Sequence, residues 1–277
     1  MTDQRWHALR QELGQRTIIM GVINVTDDSF SGDGLGDDPA AAVDQGRRFL
    51  AEGADILDVG GESTRPGHQP ISSHTELSRV VPVVERLVHD LDALVSIDTR
   101  KSEVARAALR AGAEIVNDVS GLRNDAEIAR AAAEAGAGLI LQHWNPRSRE
   151  DTVDWIAGDL RWSINQALAA GVSANDIVVD PGLGFGKDHD ESMELIRRLG
   201  DLKAALHHPV LVGPSRKRFI GAALGGVPVE ERTAGTIGAS VVSVVMGADM
   251  VRVHDVQVVS QAVRVADAIL APSRQAR

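Results

Sequence analysis

Eight short apolar runs, rich in valine and isoleucine, recur along the 277-residue chain, and most of them end in a polar residue. Because these runs are nearly continuous rather than alternating, they predict strands buried on both faces, which is typical of a parallel sheet. The runs are Thr17–Val25, Ala54–Gly61, Leu94–Thr99, Glu114–Val119, Gly138–His143, Asp176–Pro181, Pro209–Pro214 and Met250–Asp255.

Alanine-rich helical patterns separate the runs, and glycines follow several of them, where they supply the left-handed residue that ends a helix. Examples of the helical patterns are Pro39–Glu52, Ser102–Ala111, Asp125–Ala135 and Thr233–Met246. The terminating glycines are Gly53, Gly112, Gly136, Gly171 and Gly247.

Eight strand–helix units without a linker predict an α/β protein with one domain, a (β/α)8 TIM barrel over residues 1–277. We expect a short polar N-terminal segment at residues 1–16 and a frayed tail at residues 271–277. An open doubly wound sheet is the alternative. It usually carries a glycine-rich turn after its first strand, whereas Asn24–Asp28 contains no glycine.

Composition narrows the classes of function. The formal charge is −10 and the pI about 5.4, so we expect no binding to nucleic acid or to a membrane surface, which are polyanionic. The chain has no cysteine, which excludes disulfides, thiolate metal sites and cysteine nucleophiles. With no signal-like segment and no apolar stretch of about 18 residues, these features predict a cytoplasmic protein.

Polar side chains stand where the predicted strands end, and in a barrel of this kind the active site lies at those carboxyl ends. Any one of them is equally well explained as a turn residue, a helix cap or half of an ion pair. However, burying a set of carboxylates and amides costs free energy unless other groups pair with them, so the whole set indicates a ligand site. They are Asn24, Asp58, Asp98, Asn117, Asp118, His143, Asp180, Ser215, Arg216, Lys217, Arg252 and His254.

These side chains suggest two kinds of ligand at one barrel mouth. Asp98, Asn117 and Asp180 offer acceptors and amides suited to a flat nitrogen heterocycle with adjacent donors. A second group offers positive charge and donors suited to a phosphate-type anion. Its members are Thr64, Arg65, Lys217, Arg252 and His254.

Two glycine-bearing loops fit the same picture. Gly60–Gly67 starts at the end of the second run and is either an ordinary loop or a mobile anion-binding lid. Asp180–Lys187 starts at the end of the sixth run, and its three alternating glycines predict close approach of backbone to a ligand. Within it, Phe185 is either a surface anchor or a stacking platform for an aromatic substrate. Ser215 has no base assigned to it, so no nucleophile is predicted.

Long ordered motifs resemble those of the dihydropteroate synthases from about Ile18 to His254, nearly the whole chain. The matching blocks are Met20–Thr26 with Asp28–Ser31, Asp58–Gly67, Ser96–Thr99, Asn117–Asp118, Asp180–Lys187, Ser215–Lys217 and Arg252–Asp255. The resemblance implies condensation of 7,8-dihydropterin-6-ylmethyl pyrophosphate with p-aminobenzoate, giving 7,8-dihydropteroate and pyrophosphate by an SN1-like displacement with Mg²⁺. It also implies a transferase of folate biosynthesis, the target of sulfonamides, that forms a homodimer.

The resemblance also implies a role for each matching residue. Pterin binding falls to Asp98, Asn117, Asp180 and Lys217, and Asn24 becomes the protein contact to Mg²⁺. Pyrophosphate binding falls to Thr64, Arg65, Arg252 and His254, and the aminobenzoate site to Pro66, Phe185 and Lys217. Of these, Arg65, Lys217, Arg252 and His254 are the expected catalytic groups.

The chain departs from the family pattern at a few positions. The first loop has Asp27 in place of a proline, and Gly32 with Asp33 in place of Asp-Gly. Arg218 stands where the family often has a serine that contacts the aminobenzoate carboxylate, so that contact requires Arg218 or backbone N–H groups.

Two other functions remain open at this point. A pterin-binding methyltransferase would share Asp98, Asn117 and Asp180 but would need no anion-binding group. A non-catalytic pterin-binding barrel would show no turnover at all.

Overall fold

A computed structural model describes residues 5–26, 39–63, 69–145 and 151–274. Within them, eight parallel strands form one sheet in the order β6-β5-β4-β3-β2-β1-β8-β7. All eight predicted runs contain a strand. The strands are β1 (Ile18–Asn24), β2 (Ile56–Gly60), β3 (Val95–Asp98), β4 (Ile115–Asp118), β5 (Gly138–Gln142), β6 (Ile177–Asp180), β7 (Leu211–Val212) and β8 (Met250–Val253).

The sheet closes on itself between β6 and β7, where a bridge joins Val179 to Val210 and the amide of Val179 donates to the carbonyl of Pro209 at 3.0 Å. Strand β7 has two residues and is shorter than the predicted run Pro209–Pro214. The two prolines that bound the run have no N–H to give to the ladder. The predicted (β/α)8 barrel is therefore confirmed, and the doubly wound alternative is wrong.

Helices surround the barrel and connect successive strands. They are α1 (Arg5–Leu9), α2 (Pro39–Glu52), α3 (Ser73–Leu91), α4 (Ser102–Arg110), α5 (Glu127–Ala135), α6 (Thr152–Ala169), α7 (His189–Arg197), α8 (Leu199–Leu206), α9 (Arg218–Ala223), α10 (Thr233–Val245) and α11 (Val256–Arg274). The five terminating glycines all have positive φ, as predicted. None of the helices in the described residues has the length and apolar character needed to cross a membrane.

The two chain ends differ from the expectation. Helix α11 continues to Arg274, so residues 271–274 of the expected tail are helical, and residues 275–277 lie outside the described part. Fraying of this tail stays a prediction. The polar N-terminal segment contains α1, whose Trp6 is almost fully buried.

Alternation along each strand divides the core into two layers. On β2, Leu57 and Val59 pack into the large cluster beneath the helices, whereas Ile56 belongs to a smaller cluster inside the barrel. That inner cluster takes one or two residues from each strand or its entrance and is completed by Trp6. The apolar layer therefore fills the amino-terminal half of the barrel.

Trp6 closes the floor of the barrel. Its indole Nε1 donates to Asp176 at 3.0 Å, and a Cβ on Gly138 would lie 2.7 Å from its ring atom Cε2. The absence of a side chain at Gly138 is thus what admits the indole beneath β5.

Candidate active site

A polar layer lies directly above the apolar one. Because side chains of a strand alternate between faces, the residue two positions after each inner apolar residue also points into the barrel. Counting from Ile56, Leu94, Ile115, Ile140, Val178 and Met250 in this way gives Asp58, Ser96, Asn117, Gln142, Asp180 and Arg252. All except Arg252 are buried. The carboxyl-terminal half of the barrel is therefore lined with charge and hydrogen-bonding groups.

Arg252 is bound by two carboxylates across this layer. Its Nε donates to Oδ2 of Asp58 at 2.6 Å, and its Nη2 donates to Oδ2 of Asp98 at 2.8 Å. Burial opposes the charge of the guanidinium, but the two carboxylates keep the pKa of Arg252 above its usual value. The residue predicted to bind pyrophosphate therefore contacts one predicted to bind the pterin.

Asn117 joins the same network from β4. Its Nδ2 donates to Oδ2 of Asp58 at 3.1 Å, so one carboxylate oxygen orients both the amide and the guanidinium. Three buried atoms here, Asp58 Oδ1, Ser96 Oγ and Asn117 Oδ1, make no hydrogen bond to any residue that the structure describes. Buried polar atoms of this kind are rare in proteins and mark places where a ligand or water completes the bonding.

Burial shifts the pKa values of the charged groups around the network. It raises the pKa of Asp98 to about 7, although the nearby Arg252 favours the ionised form. It also raises the pKa of Asp180 to about 6, against the amide of Gly182, which donates to Oδ1 at 2.7 Å. Burial lowers the pKa of Lys217 to about 8, partly offset by Asp180. Strongly shifted groups that converge in one place are characteristic of functional sites.

Aromatic side chains border the site on the β5–β6 side. The ammonium of Lys217 lies 4.0 Å from the ring centroid of Phe185, within cation–π range. Trp144, just after β5, tilts against Phe185 with centroids 5.6 Å apart and carries the guanidinium of Arg100 at 5.7 Å on its ring. Phe185 and Lys217, which were both predicted for the aminobenzoate site, are thus brought together.

The glycines of the loop after β6 pack closely against the protein backbone. Gly182, Gly184 and Gly186 all have positive φ. A Cβ on Gly182 would overlap the carbonyl oxygen of His143, and one on Gly186 would lie 2.8 Å from the carbonyl oxygen of Asn145. For these two, contact with protein backbone already requires glycine, and close approach of the loop to a ligand stays a prediction.

Ser215, to which the sequence assigned no base, has a histidine beside it. Its Oγ lies 2.9 Å from Nδ1 of His254 and also accepts from the backbone N–H of His254 at 3.2 Å. Two separate contacts with one hydroxyl fix where the imidazole stands.

Two other strand-end residues have structural roles. Asp118 accepts hydrogen bonds from the amides of Ser120 and Leu122, at 2.8 and 2.6 Å, and shapes the turn after β4. His143 bonds to Lys187 and Asp159, away from the polar layer. For these two, the turn and packing explanations that the sequence left open are supported.

The metal prediction rests on Asn24, which ends β1 at the barrel mouth and is half-buried. No group of three or more His, Asp or Glu side chains in the described ranges could hold a metal ion by itself. Thr64, Arg65 and Pro66 lie outside the described residues, as do Asp27, Gly32 and Asp33.

Sequence reasoning placed Asp58 at a strand end without a role, and passed over Ser96, Gln142 and Trp144. Counting two positions onward from the inner apolar residues would have found Asp58, Ser96 and Gln142. Trp144 has a weaker signal, an aromatic residue directly after a strand in a chain with only 3% aromatic residues.

Comparison with known proteins accounts for this arrangement. The family model described as pterin binding enzyme matches residues 20–254. The dihydropteroate synthase of Clostridium beijerinckii is 43% identical over 260 residues, covering 93% of this chain and 96% of that protein. The chain belongs to the dihydropteroate synthase family. The Mycobacterium leprae member is 45% identical, with 91% and 93% coverage.

Solved dihydropteroate synthase structures share the fold closely. That of the Clostridium difficile enzyme in the presence of pteroic acid has a TM-score of 0.88 and 43% identity, covering 93% of this chain and 98% of that one. The Xanthomonas albilineans enzyme with 4-aminobenzoic acid has a TM-score of 0.87 and 41% identity, with coverages of 93% and 94%.

Proposed function

We propose that this chain condenses 7,8-dihydropterin-6-ylmethyl pyrophosphate with p-aminobenzoate to give 7,8-dihydropteroate and pyrophosphate. The observation that carries the proposal is the polar layer, in which buried carboxylates and amides surround the guanidinium of Arg252 in a barrel of this family. As a member of the family, the chain is a transferase of folate biosynthesis.

The pterin ring would lie on the polar layer. Asp180 and Asp98 would accept hydrogen bonds from ring N–H and amino groups, and Asn117 would use its amide oxygen, which has no protein partner among the described residues. Lys217 would donate to a ring acceptor. The unpaired buried atoms support this assignment, because a donor-rich heterocycle supplies what they lack.

Pyrophosphate would bind at Arg252 and His254, together with Thr64 and Arg65. The Ser215 hydroxyl can donate to Nδ1 of His254, which leaves the imidazole proton on Nε2 as a donor for an anion. Arg252 would bridge the pterin and pyrophosphate parts of the site, since it already contacts Asp98.

The aminobenzoate ring would stack near Phe185 and Lys217, and the family resemblance assigns Pro66 to the same site. Its carboxylate would meet Arg218, the exposed first residue of α9, which directly follows Lys217. An aniline without the carboxylate tests that contact: Arg218→Ala should raise the KM for p-aminobenzoate and leave the KM for the aniline unchanged.

Magnesium fits the site through Asn24. Mg²⁺ usually keeps several waters and binds through few protein oxygens plus substrate phosphates, so a single amide oxygen is sufficient. When bound, the ion would neutralise charge on the pyrophosphate leaving group.

In the reaction, the bond from the pterin methylene to the pyrophosphate oxygen breaks first. Arg65, Lys217, Arg252 and His254 would stabilise the departing charge by fixed position rather than by covalent chemistry. The amine lone pair then forms the new C–N bond, and the nitrogen loses a proton. Holding both substrates in place supplies much of the remaining rate enhancement.

Release of pyrophosphate from the two substrates with Mg²⁺ tests the proposal. Stoichiometric formation of dihydropteroate and pyrophosphate is expected. Pterin binding without pyrophosphate release would instead favour a non-catalytic barrel, and methyl transfer from methyltetrahydrofolate to a corrinoid protein would favour the methyltransferase.

A homodimer is also proposed. Exposed apolar side chains lie at one side of the barrel, on or directly after the neighbouring helices α10 and α11. They are Val242, Val245, Met246, Val258, Val265 and Ile269. Sedimentation equilibrium would give twice the monomer mass, and a monomer at all concentrations would reject the idea. The cytoplasmic location stays a prediction.

A further inference from the structure

A buried amine stands behind the proposed active site and has no part in the reaction described above. Lys187 is only 8% exposed. Its Nζ lies 2.8 Å from the carbonyl oxygen of Phe185, 2.9 Å from Nδ1 of His143 and 3.3 Å from the carbonyl oxygen of His143. A lysine ammonium has three N–H donors, and here each has an acceptor.

The bonding continues through His143 to helix α6. A lysine ammonium can only donate, so Nδ1 of His143 is an acceptor and the ring proton lies on Nε2. That nitrogen donates to Oδ2 of Asp159 at 3.0 Å. Asp159 also accepts from Asn145 at 2.7 Å and from Arg123 at 2.8 Å. The amine is therefore joined to a fixed set of side chains.

Backbone packing brings the same two segments together independently. Gly182 and Gly186 leave no room for a Cβ against the carbonyls of His143 and Asn145. The loop of residues 182–186 thus lies directly on residues 143–145, and Lys187 bonds to both segments.

The position of this loop determines where the ring of Phe185 lies in the proposed active site. Phe185, whose carbonyl accepts from Lys187, places its ring 4.0 Å from the ammonium of Lys217 and against Trp144. A Cβ on Gly184 would also be in ordinary contact, 3.5 Å from Cδ of Lys217. The position of the loop therefore sets where Phe185 and Lys217 meet.

We propose that Lys187 is a positioning residue that ties the loop after β6 to the end of β5, and so holds Phe185 beside Lys217 for the aminobenzoate ring. This rests on the proposed function. Lys187 touches neither substrate; it acts through the loop.

Lys187→Met tests the proposal, because methionine keeps the volume and removes the donors. The KM for p-aminobenzoate should rise about tenfold, the loss of about one to two hydrogen bonds, while the KM for the pterin pyrophosphate stays within about twofold. Burial lowers the pKa of Lys187 to about 7, so assays at pH 6.5 keep the ammonium form in the majority. Lys187→Gln retains hydrogen-bond donors, so its KM for p-aminobenzoate should lie between those of the unaltered protein and Lys187→Met. It replaces Lys187→Met in the test if the methionine variant does not fold.

Hydrogen exchange of the amides in residues 182–186 gives a readout that does not need activity. Exchange should be faster in Lys187→Met than in the unaltered protein. The matched control is Lys203→Met, which removes an amine that donates to Asp249 at 2.7 Å at the opposite end of the barrel. That variant should lose stability without a change in either KM or in loop exchange.

The outcomes separate the two ideas. If the unaltered protein releases no pyrophosphate, the proposed function is wrong, and loop exchange alone decides whether Lys187 holds the loop. Unchanged exchange in both Lys187 variants, or equal increases in both KM values, would show that the positioning role is wrong.

Discussion

Nη2 of Arg252 lies 2.8 Å from Oδ2 of Asp98, so the guanidinium predicted for the anion and the carboxylate predicted for the heterocycle are bonded to each other. An ionised carboxylate has two oxygens and about four acceptor positions. Asp98 can therefore keep its bond to Arg252 and still accept from a ring N–H. The two halves of the site share this ion pair, and changes in one half should be felt in the other.

Asp98→Asn should weaken pterin binding and leave the fold intact. The substitution removes a charged acceptor, whose hydrogen bond is worth about 1.5–3 kcal/mol, or roughly 10–150-fold in affinity. Titration calorimetry with a pterin checks this. Asp92→Asn, on an exposed left-handed residue after α3, is the control and should bind normally. Unchanged affinity in Asp98→Asn with a native circular dichroism spectrum would reject the assignment.

Arg252→Ala should destabilise the protein as well as slow turnover. Removing the guanidinium leaves Asp58 and Asp98 without their cation, and breaking a buried pair in this way costs about 3–5 kcal/mol. The cost should be smaller at pH 5 than at pH 7.5, because burial raises the pKa of Asp98 to about 7 and this carboxyl group takes up a proton at the lower pH. Urea unfolding at both pH values measures it, with Arg48→Ala at an exposed position of helix α2 as the control. A loss of turnover without any loss of stability would mean that the ion pairs contribute little.

Asp180→Asn should stabilise the unliganded protein at pH 8. Because the folded pKa is raised from 3.8 to about 6, the ionised form is disfavoured in the fold. Stability is therefore fully present below pH 3.8 and is lost as the pH rises through 6. The variant should gain about 1–3 kcal/mol at pH 8, and the gain should shrink toward pH 4. Pterin affinity of the unaltered protein should fall as the pH falls through 6, since the acceptor becomes protonated.

The control for Asp180→Asn is Asp44→Asn on the exposed face of α2, which should show no such dependence. Denaturant unfolding across this pH range decides the matter, and an equal effect at pH 4 and pH 8 would contradict the burial argument.

Ser215→Ala distinguishes an orienting hydroxyl from a nucleophile. If Ser215 only fixes His254, kcat should fall by no more than about tenfold, the value of one neutral hydrogen bond. Loss of a true nucleophile costs several orders of magnitude, about 10⁶-fold in a serine protease. Single-turnover kinetics with mass spectrometry of the protein would detect a covalent adduct. Such an adduct would contradict the proposed mechanism, in which no protein side chain acts as a nucleophile.

The fold could be predicted from the sequence because continuous apolar runs indicate buried strands and glycines indicate the ends of helices. Which side chains contact each other could not be predicted. Asp118 and Asp98 both end strands, yet one caps a turn and the other faces Arg252. The difference depends on which face of the strand each side chain takes, and that follows from the register of the inner apolar layer.

Hydrogen bonds between residues far apart in the sequence could not be predicted either. Lys187, His143 and Asp159 are separated by up to 44 residues, and no local pattern indicates that they bond. The Ser215–His254 pair joins the segment after β7 to the end of β8 in the same way. Such contacts arise from barrel closure, so they become visible only once neighbouring strands are placed side by side.

The fit of Trp6 under Gly138 has a consequence for how members of this family can diverge. Any side chain at position 138 would meet the indole, while loss of the indole alone would leave the barrel floor unfilled. The two positions, 132 residues apart in sequence, can therefore be exchanged only as a pair. A relative that carries a side chain at the equivalent of Gly138 must seal its barrel with a different residue, and its N-terminal segment is then released to evolve separately.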